Sequence, residues 1–343
     1  MPGRALRRIA VTLPTVLLIS FVIFALLDAA PGDPMAQMPL TIPPDVRAAM
    51  REALGLDAPM LTQFGHWLWQ FFVIEPLHLM DRLLGTGLAG ESARVISWQT
   101  RAPVMDTVIE RLPQTLWVVG LGYLIGVLIA LPAGIYAAAR PHSRFDRIAT
   151  LLATLGFSLP TFFTGVLLIV VFSVGLGWFP SIYDTTLRVT SLDTLGQQLR
   201  QMVLPVSVIA LYNAAQISRF MRAAMRDALQ EGHIRTARAK GLSERAVVLG
   251  HALRGAMLPV VTVLALGAPQ VFAGAIITEQ VFRVNGLGQL LITAIQANDL
   301  PMVQTLTVIF ALLIVAANLL ADLAYGLLDP RIKAGVDRHH GRG

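Results

Sequence analysis

The chain has 343 residues, 55% of them hydrophobic and 14% charged, with a mean hydropathy of +0.64, which places it in a bilayer rather than among soluble domains. Its net charge of +6 and isoelectric point of about 10.3 would by themselves suit nucleic acid, but on so apolar a chain basic residues mark cytoplasmic loops, and no nucleic-acid binding is expected. The absence of cysteine excludes disulfides, iron–sulfur ligation and thiol catalysis.

In chain order, residues 1–8 read as a basic tail carrying Arg4, Arg7 and Arg8, and 9–29 as a first apolar helix. That stretch is longer than the roughly 7–15 residues of a signal-peptide core and long enough to span, which takes about 20. Residues 30–112 form an external segment with PGDP at 31–34, IPP at 42–44 and an amphipathic LTQFGHWLWQFF at 61–72. Its aromatics suit an interfacial helix better than a substrate site. Residues 113–328 then carry five further spans, near 115–139, 148–177, 203–221, 257–279 and 303–326, and 329–343 form a C-terminal tail. The third of the six spans is long enough to tilt, or to bend at Pro160. The fold class expected is an all-α integral membrane protein with six transmembrane helices.

Orientation follows from the basic residues. Three Lys or Arg lie in the N-tail, three in 140–147, eight in 219–256 and four in the C-tail, so that one side holds 18 of 27. The side richer in Lys and Arg is the cytoplasmic one. Both termini and the loop 222–256 are therefore expected in the cytoplasm, with contact to lipid along the spans.

Within the spans, Gly122, Gly126, Ala130 and Gly134 place a small residue at every fourth position, which permits close helix contact either inside this chain or with a partner. Asn213, Gln216, Gln270 and Asn318 are uncharged polar residues in apolar helices and are candidates for lining an aqueous path, although interhelical hydrogen bonds would equally account for them. Pro269, after Gly267, is expected to interrupt backbone bonding and bend the fifth span. Asp28, Glu279 and Asp322 lie near span ends, where solvation or capping is expected. That placement disfavours an ion-coupled secondary transporter. The chain has no H-E-x-x-H, no G-x-S-x-G and no phosphate-binding G-x-x-x-x-G-K-[ST], and the tail pair His339-His340 is expected to be solvated.

The most informative stretch is EGHIRTARAKGLSERAVVLGHALRGAMLP at 231–259. Glu231 to Lys240 favour helix, Gly241 supplies a break, and Ser243 can cap a second helix with Glu244 in its first turn. Leu249, Ala252, Leu253 and Ala256 then form an apolar stripe, with Arg245 and Arg254 facing elsewhere. A positive-inside loop needs only scattered charge. The small-residue turn Ala237-x-Ala239-x-Gly241 beside a capped helix suits insertion into a groove on another protein.

These residues resemble the cytoplasmic coupling loop of ABC importer permeases, whose pattern is E-A-A, three residues, Gly, then nine residues and I-x-L-P. Gly241 and Ala237 match it. Arg235 and Thr236 stand where that pattern has Glu and Ala, and Leu258-Pro259 arrive about five residues late. Both departures resemble the dipeptide/oligopeptide branch, as do ERLPQTLWV at 110–118, GFSLPTFFTGVLLI at 156–169, VFRVNGLGQLL at 281–291 and YGLLDPRIK at 325–333. The resemblance implies the type I importer permease fold and a first-subunit permease paired with a homologous second one. It also implies two cytoplasmic ATPase subunits and an external solute-binding protein. ATP and Mg would sit on the ATPases, with no cofactor or metal on this chain and no catalytic residue in it. The loop Arg235, Thr236, Ala237, Arg238, Ala239, Lys240, Gly241, Leu242, Ser243, Glu244 and Arg245 would couple to the ATPases. The solute would be a dipeptide or oligopeptide, with nickel or another small peptidic solute as the alternative.

Overall fold

The computed structural model describes residues 2–29, 43, 45, 57–90 and 92–328, with side chains outside 2–13, 28, 268–274 and 320–328. Most of the external segment before Met60, the C-terminal tail, and the side chains of Asp28, Gln270 and Asp322 therefore lie outside the description. The helices are α1 (Pro2–Asp28) and α2 (Met60–Trp69, a π-helical turn Gln70–Ile74, then Glu75–Leu84). Next come α3 (Val104–Thr115, a π turn Leu116–Gly120, then Leu121–Ala139), α4 (Arg144–Ser158) and α5 (Thr161–Leu168 continuing through the π turn Ile169–Gly175). They are followed by α6 (Leu192–Leu229), α7 (Gly232–Ala239) and α8 (Glu244–Ala246, a π turn Val247–Ala252, then Leu253–Phe282). The last are α9 (Leu287–Gln296) and α10 (Leu300–Leu328).

Each expected span lies on a helix, but the ends moved. Among the described residues three helices are by themselves long and apolar enough to cross a membrane, Val104–Ala139, Glu244–Gly267 and Leu300–Leu319. The pair α4 and α5 meets the criterion together, bent by 105°. That bend is at Leu159-Pro160, as the proline predicts, since Pro160 has no N–H to continue the helix and biases Leu159 to extended backbone (φ −82°, ψ 129°). At Pro269 the helix is not interrupted in this way: α8 runs from Leu253 to Phe282 across it. One missing amide removes a single bond from a ladder whose flanking turns stay helical. The span expected at 203–221 is the middle of a helix of 38 residues, α6, started by a capping box between Ser191 and Thr194.

The chain forms two compact units, residues 1–113 with 290–312, and 114–289 with 313–343. In the first, aromatic residues of α2 pack on α1 and α10: Trp67, Phe71, Phe24 and Val308 are buried together, with Phe64 edge-on to Phe21 and Phe24. The amphipathic stretch expected at 61–72 is thus part of a longer helix with one face in a core, while Leu61 and Trp69 remain exposed. A polar clamp ties the loop after α2 to the start of α3. Glu75, 2% exposed, accepts from Arg94 (2.7 Å) and from the Val95 amide (3.2 Å), and Arg94 also meets Asp106 (3.0 Å). Asp81 receives the Thr86 hydroxyl and the Ala89 and Leu88 amides, which hold its carboxyl below the usual range. Asp299 is buried and accepts from Ser97, from the Trp98 amide (3.1 Å) and from Met302 at the start of α10 (3.4 Å).

In the second unit the small-residue ladder of α3 decides the packing. A Cβ on Gly122 would stand 2.7 Å from Ile209, one on Gly126 3.0 Å from the Asn213 Cβ, and one on Gly134 2.7 Å from Met221 and 2.8 Å from the Ser218 carbonyl. Ala130, between them, is fully buried. Both series advance in the same direction, so α3 and α6 run parallel and touch backbone to side chain along the ladder. Of the two uses that the spacing allows, packing within this chain is the one realised.

Glu279 is fully buried instead of solvated. It accepts from the Thr115 hydroxyl (2.9 Å) and from the Gln289 amide in the first turn of α9 (2.9 Å). Of the two readings of that position, capping is the one seen.

Candidate functional site

The corner at 232–246 is built by backbone chemistry. The Leu242 amide donates to the Ala237 carbonyl (3.4 Å) and the Gly241 amide to the Arg238 carbonyl (2.9 Å), the paired bonds of a Schellman motif. The motif requires a left-handed residue after the cap, and Gly241 adopts φ +76°, which an L side chain resists. Ser243 then caps α8, its hydroxyl accepting from the Ala246 amide (3.4 Å). Across the corner Arg238 meets Glu244 (2.6 Å), a pair that sequence reading missed, and the carboxylate raises the Arg238 pKa.

Arg235, Thr236, Arg238, Ala239, Lys240, Gly241, Leu242, Ser243, Glu244 and Arg245 are all exposed; Ala237 is buried. A Cβ on Gly241 would meet nothing within 4 Å. Ala237 thus belongs not to a projecting knuckle but to the joint beneath it. With Ile234 it packs onto Met221, Met225, Val247 and Ala252, so α7 is anchored along one face and free along the other. Of the apolar stripe expected on α8, Ala252 and Ala256 are buried and Leu253 packs against them, while the place of Leu249 is corrected. Leu249 is 47% exposed, whereas Val247 and Ala252 are fully buried and Val248 nearly so. The π turn at Val247–Ala252 spends more residues per revolution than an α-helix, which shifts the register of the stripe.

Beside this corner, the turn after α3 is tied to α6. Asp146 accepts from Arg222 through both oxygens (2.6 and 3.0 Å) and from the His142 amide (2.9 Å), while Ser143 caps α4.

A cavity of about 520 Å³ lies deeper in the same unit. Its wall includes the broken corner from Phe157 to Phe162, then Tyr212, Asn213 and Gln216 of α6, and Ile277 and Thr278 of α8. Non-helical backbone at membrane depth is tolerated where it lines such a space. Two of the four polar residues singled out from sequence, Asn213 and Gln216, line it. Asn213 is held from behind by Gly126 and donates from Nδ2 to the Ile209 carbonyl (2.8 Å). Gln270 lies on α8 with its side chain outside the description, and Asn318 is exposed on α10 and does not line the cavity. Sequence reading missed Ser158, Thr161, Tyr212 and Thr278; Pro160 was the available signal, because a broken span exposes the residues on either side of the break. The Thr278 hydroxyl is buried at 1% exposure without a hydrogen-bond partner among the described residues. A buried unpartnered hydroxyl in a cavity wall is suited to receiving a polar guest.

Comparison with known proteins agrees with this architecture. Residues 130–334 match the family described as binding-protein-dependent transport system inner membrane component, and residues 4–119 match the N-terminal component of the same systems. The chain is 34% identical over 337 residues to the oligopeptide transport system permease protein AppB of Bacillus subtilis, covering 97% of this chain and 100% of that one. It is 36% identical over 349 residues to the dipeptide transport system permease protein DppB of Escherichia coli, covering 96% and 98%. An inward-facing structure of the MetNI methionine ABC transporter superposes with a TM-score of 0.52 at 19% identity, covering 66% of this chain and 97% of that one, a likeness of fold alone. With its apolar spans, its glycine-seamed helix pair and matches that cover nearly its whole length, the chain belongs to the inner membrane component family of binding-protein-dependent transport systems, the multi-pass permeases of ABC importers.

Proposed function

We propose that this chain is the first-type permease subunit of an ATP-driven importer of dipeptides and oligopeptides, working with a homologous second permease, two cytoplasmic ATPases and an external solute-binding protein. The substrate class is supported by relatives named as oligopeptide and dipeptide permeases that align over almost the entire chain. The observation that carries the coupling role is the corner itself: open space around Gly241 above a joint whose other face is packed. A rigid, exposed, capped corner can transmit a push, since its anchored face moves with α6 and α8. ATP and Mg belong on the ATPase subunits, and this chain holds neither. With 18 of 27 Lys and Arg on their side, both termini and residues 222–256 are cytoplasmic. Asn213 and Gln216 border the translocation path where the broken α4–α5 span opens the cavity.

The test is Gly241→Asp in the assembled importer. An unpaired charge at a desolvated contact is costly. Copurifying ATPase or peptide-stimulated hydrolysis should fall at least about tenfold. The membrane helices should still insert. Stoichiometric ATPase with normal uptake of labelled dipeptide would leave the corner as a topological anchor only. In the same cysteine-free background, Ser243→Cys should resist an impermeant thiol reagent added outside and Ser92→Cys should react; the reverse pattern would invert the orientation.

A further inference from the structure

Among the described residues, the wall of the 520 Å³ cavity contains no charged side chain. Its polar groups, from Ser158, Thr161, Tyr212, Asn213, Gln216 and Thr278, are neutral donors and acceptors of the kind that suit peptide amides. One cation, Arg219, reaches that wall through Phe157, and it also lines a smaller neighbouring cavity of about 140 Å³ with Ser218 and Arg222. Tyr212, Gln216 and Arg219 fall at i, i+4 and i+7 on α6 and so share one face. Phe157, in the cavity wall, stacks on Tyr212 with centroids 6.1 Å apart and planes at 19°, and the Arg219 guanidinium carbon lies 5.4 Å from the centre of the Phe157 ring. This aromatic ladder joins the charge to the cavity.

Arg219 differs from its neighbour one turn on. Arg222 is neutralised by the two oxygens of Asp146. Arg219 is exposed and meets no carboxylate among the described residues. A guanidinium held over a ring by its charge keeps N–H groups that match a carboxylate in a two-pronged pair. An exposed guanidinium with no carboxylate partner among the described residues, next to an uncharged cavity wall, is available to pair with an anionic guest. The guest that also satisfies neutral amide-binding groups along the rest of the wall is a short peptide with a free C-terminal carboxylate.

We infer that Arg219 is the carboxylate-receiving residue of the path, holding the C-terminal end of a peptide whose amides lie against Gln216, Asn213 and Thr278. This rests on the peptide-permease reading and adds the chemical group that the membrane domain itself selects. It also gives the path a direction, because Arg219 sits one turn from the Asp146–Arg222 tie at the basic end of α6.

The experiment uses the complete importer in vesicles with saturating binding protein. Trialanine and its C-terminal amide are compared with Arg219→Gln, Arg219→Lys and the unaltered chain. Arg219→Gln should lower uptake of the acid about tenfold, the loss expected for a charge-assisted bond. Uptake of the amide should not change, and Arg219→Lys should restore part of the loss for the acid. An equal fall for acid and amide, or no fall, overturns the inference. So does a fall that follows the anionic lipid content of the vesicles instead of the peptide terminus, which would make Arg219 a lipid contact.

A second readout does not depend on transport. Relative to the same ratio for a small free thiol, the reaction rate of Gln216→Cys should shift toward a sulfonate-bearing methanethiosulfonate over a trimethylammonium-bearing one, and an unshifted or oppositely shifted ratio would reject an anion-receiving Arg219. If the unaltered importer carries neither peptide, the peptide reading fails while this rate ratio still judges Arg219.

Discussion

The seam between α3 and α6 and the corner between α7 and α8 both depend on glycine, for opposite reasons. In the seam the backbone is ordinary helix and the surroundings are full: a single carbon on Gly134 would stand 2.7 Å from Met221. At the corner the surroundings are empty and the backbone is unusual, with φ +76° at Gly241. The first place tolerates no volume, whereas the second tolerates volume but resists a Cβ through its dihedral angle. A packed seam and an exposed corner have thus been made from the same residue, and substitution separates them.

The largest effect is expected in the seam. Gly134→Leu must displace the Ser218 backbone carbonyl as well as Met221, so the parallel pair cannot close. Overpacking of this kind costs about 1–3 kcal/mol even where neighbours can yield, and backbone yields poorly. The expected outcome is a marked fall in the yield and thermal midpoint of detergent-purified protein; a wild-type melting profile would show that the helices can separate freely.

Gly241→Ala is expected to have an intermediate effect. It leaves the open space open and pays only the left-handed backbone, about 1 kcal/mol. ATPase retention should weaken modestly, and Gly241→Asn, a residue that tolerates this conformation, should recover part of it. If Gly241→Ala were as harmful as Gly241→Asp, the left-handed backbone, and not bulk or charge at the contact, would govern the corner. The smallest effect is expected at the exposed Arg238–Glu244 pair. Arg238→Gln should change stability by about 0–1 kcal/mol, measured by thermal unfolding. A larger loss would mean that the pair, rather than the Schellman bonds, holds the corner.

The sequence by itself determined a good deal. Its apolar content and long apolar stretches called for a bilayer, the every-fourth small residues permitted a close helix contact, Pro160 marked where its long span could bend, and Gly241 with Ser243 marked a stop followed by a cap. These are local matters, set by backbone dihedrals, missing donors and side-chain volume along one strand of sequence. Tertiary structure decided what local signals leave open. It assigned the α3 ladder to α6, because Ile209, Asn213 and Met221 with the backbone of Ala210 and Ser218 fill its grooves. It turned Leu249 outward through a π turn with no clear sequence signal, and it buried Glu279 against Thr115 across more than 160 positions of chain. It divided the four polar candidates, placing Asn213 and Gln216 on the cavity and Asn318 on an exposed face, because polarity can be read from sequence while the neighbour across the helix cannot. Arg219 shows the same limit. In the sequence it is one of eight basic residues in 219–256; only the fold stacks it on Phe157 and leaves its charge beside the cavity.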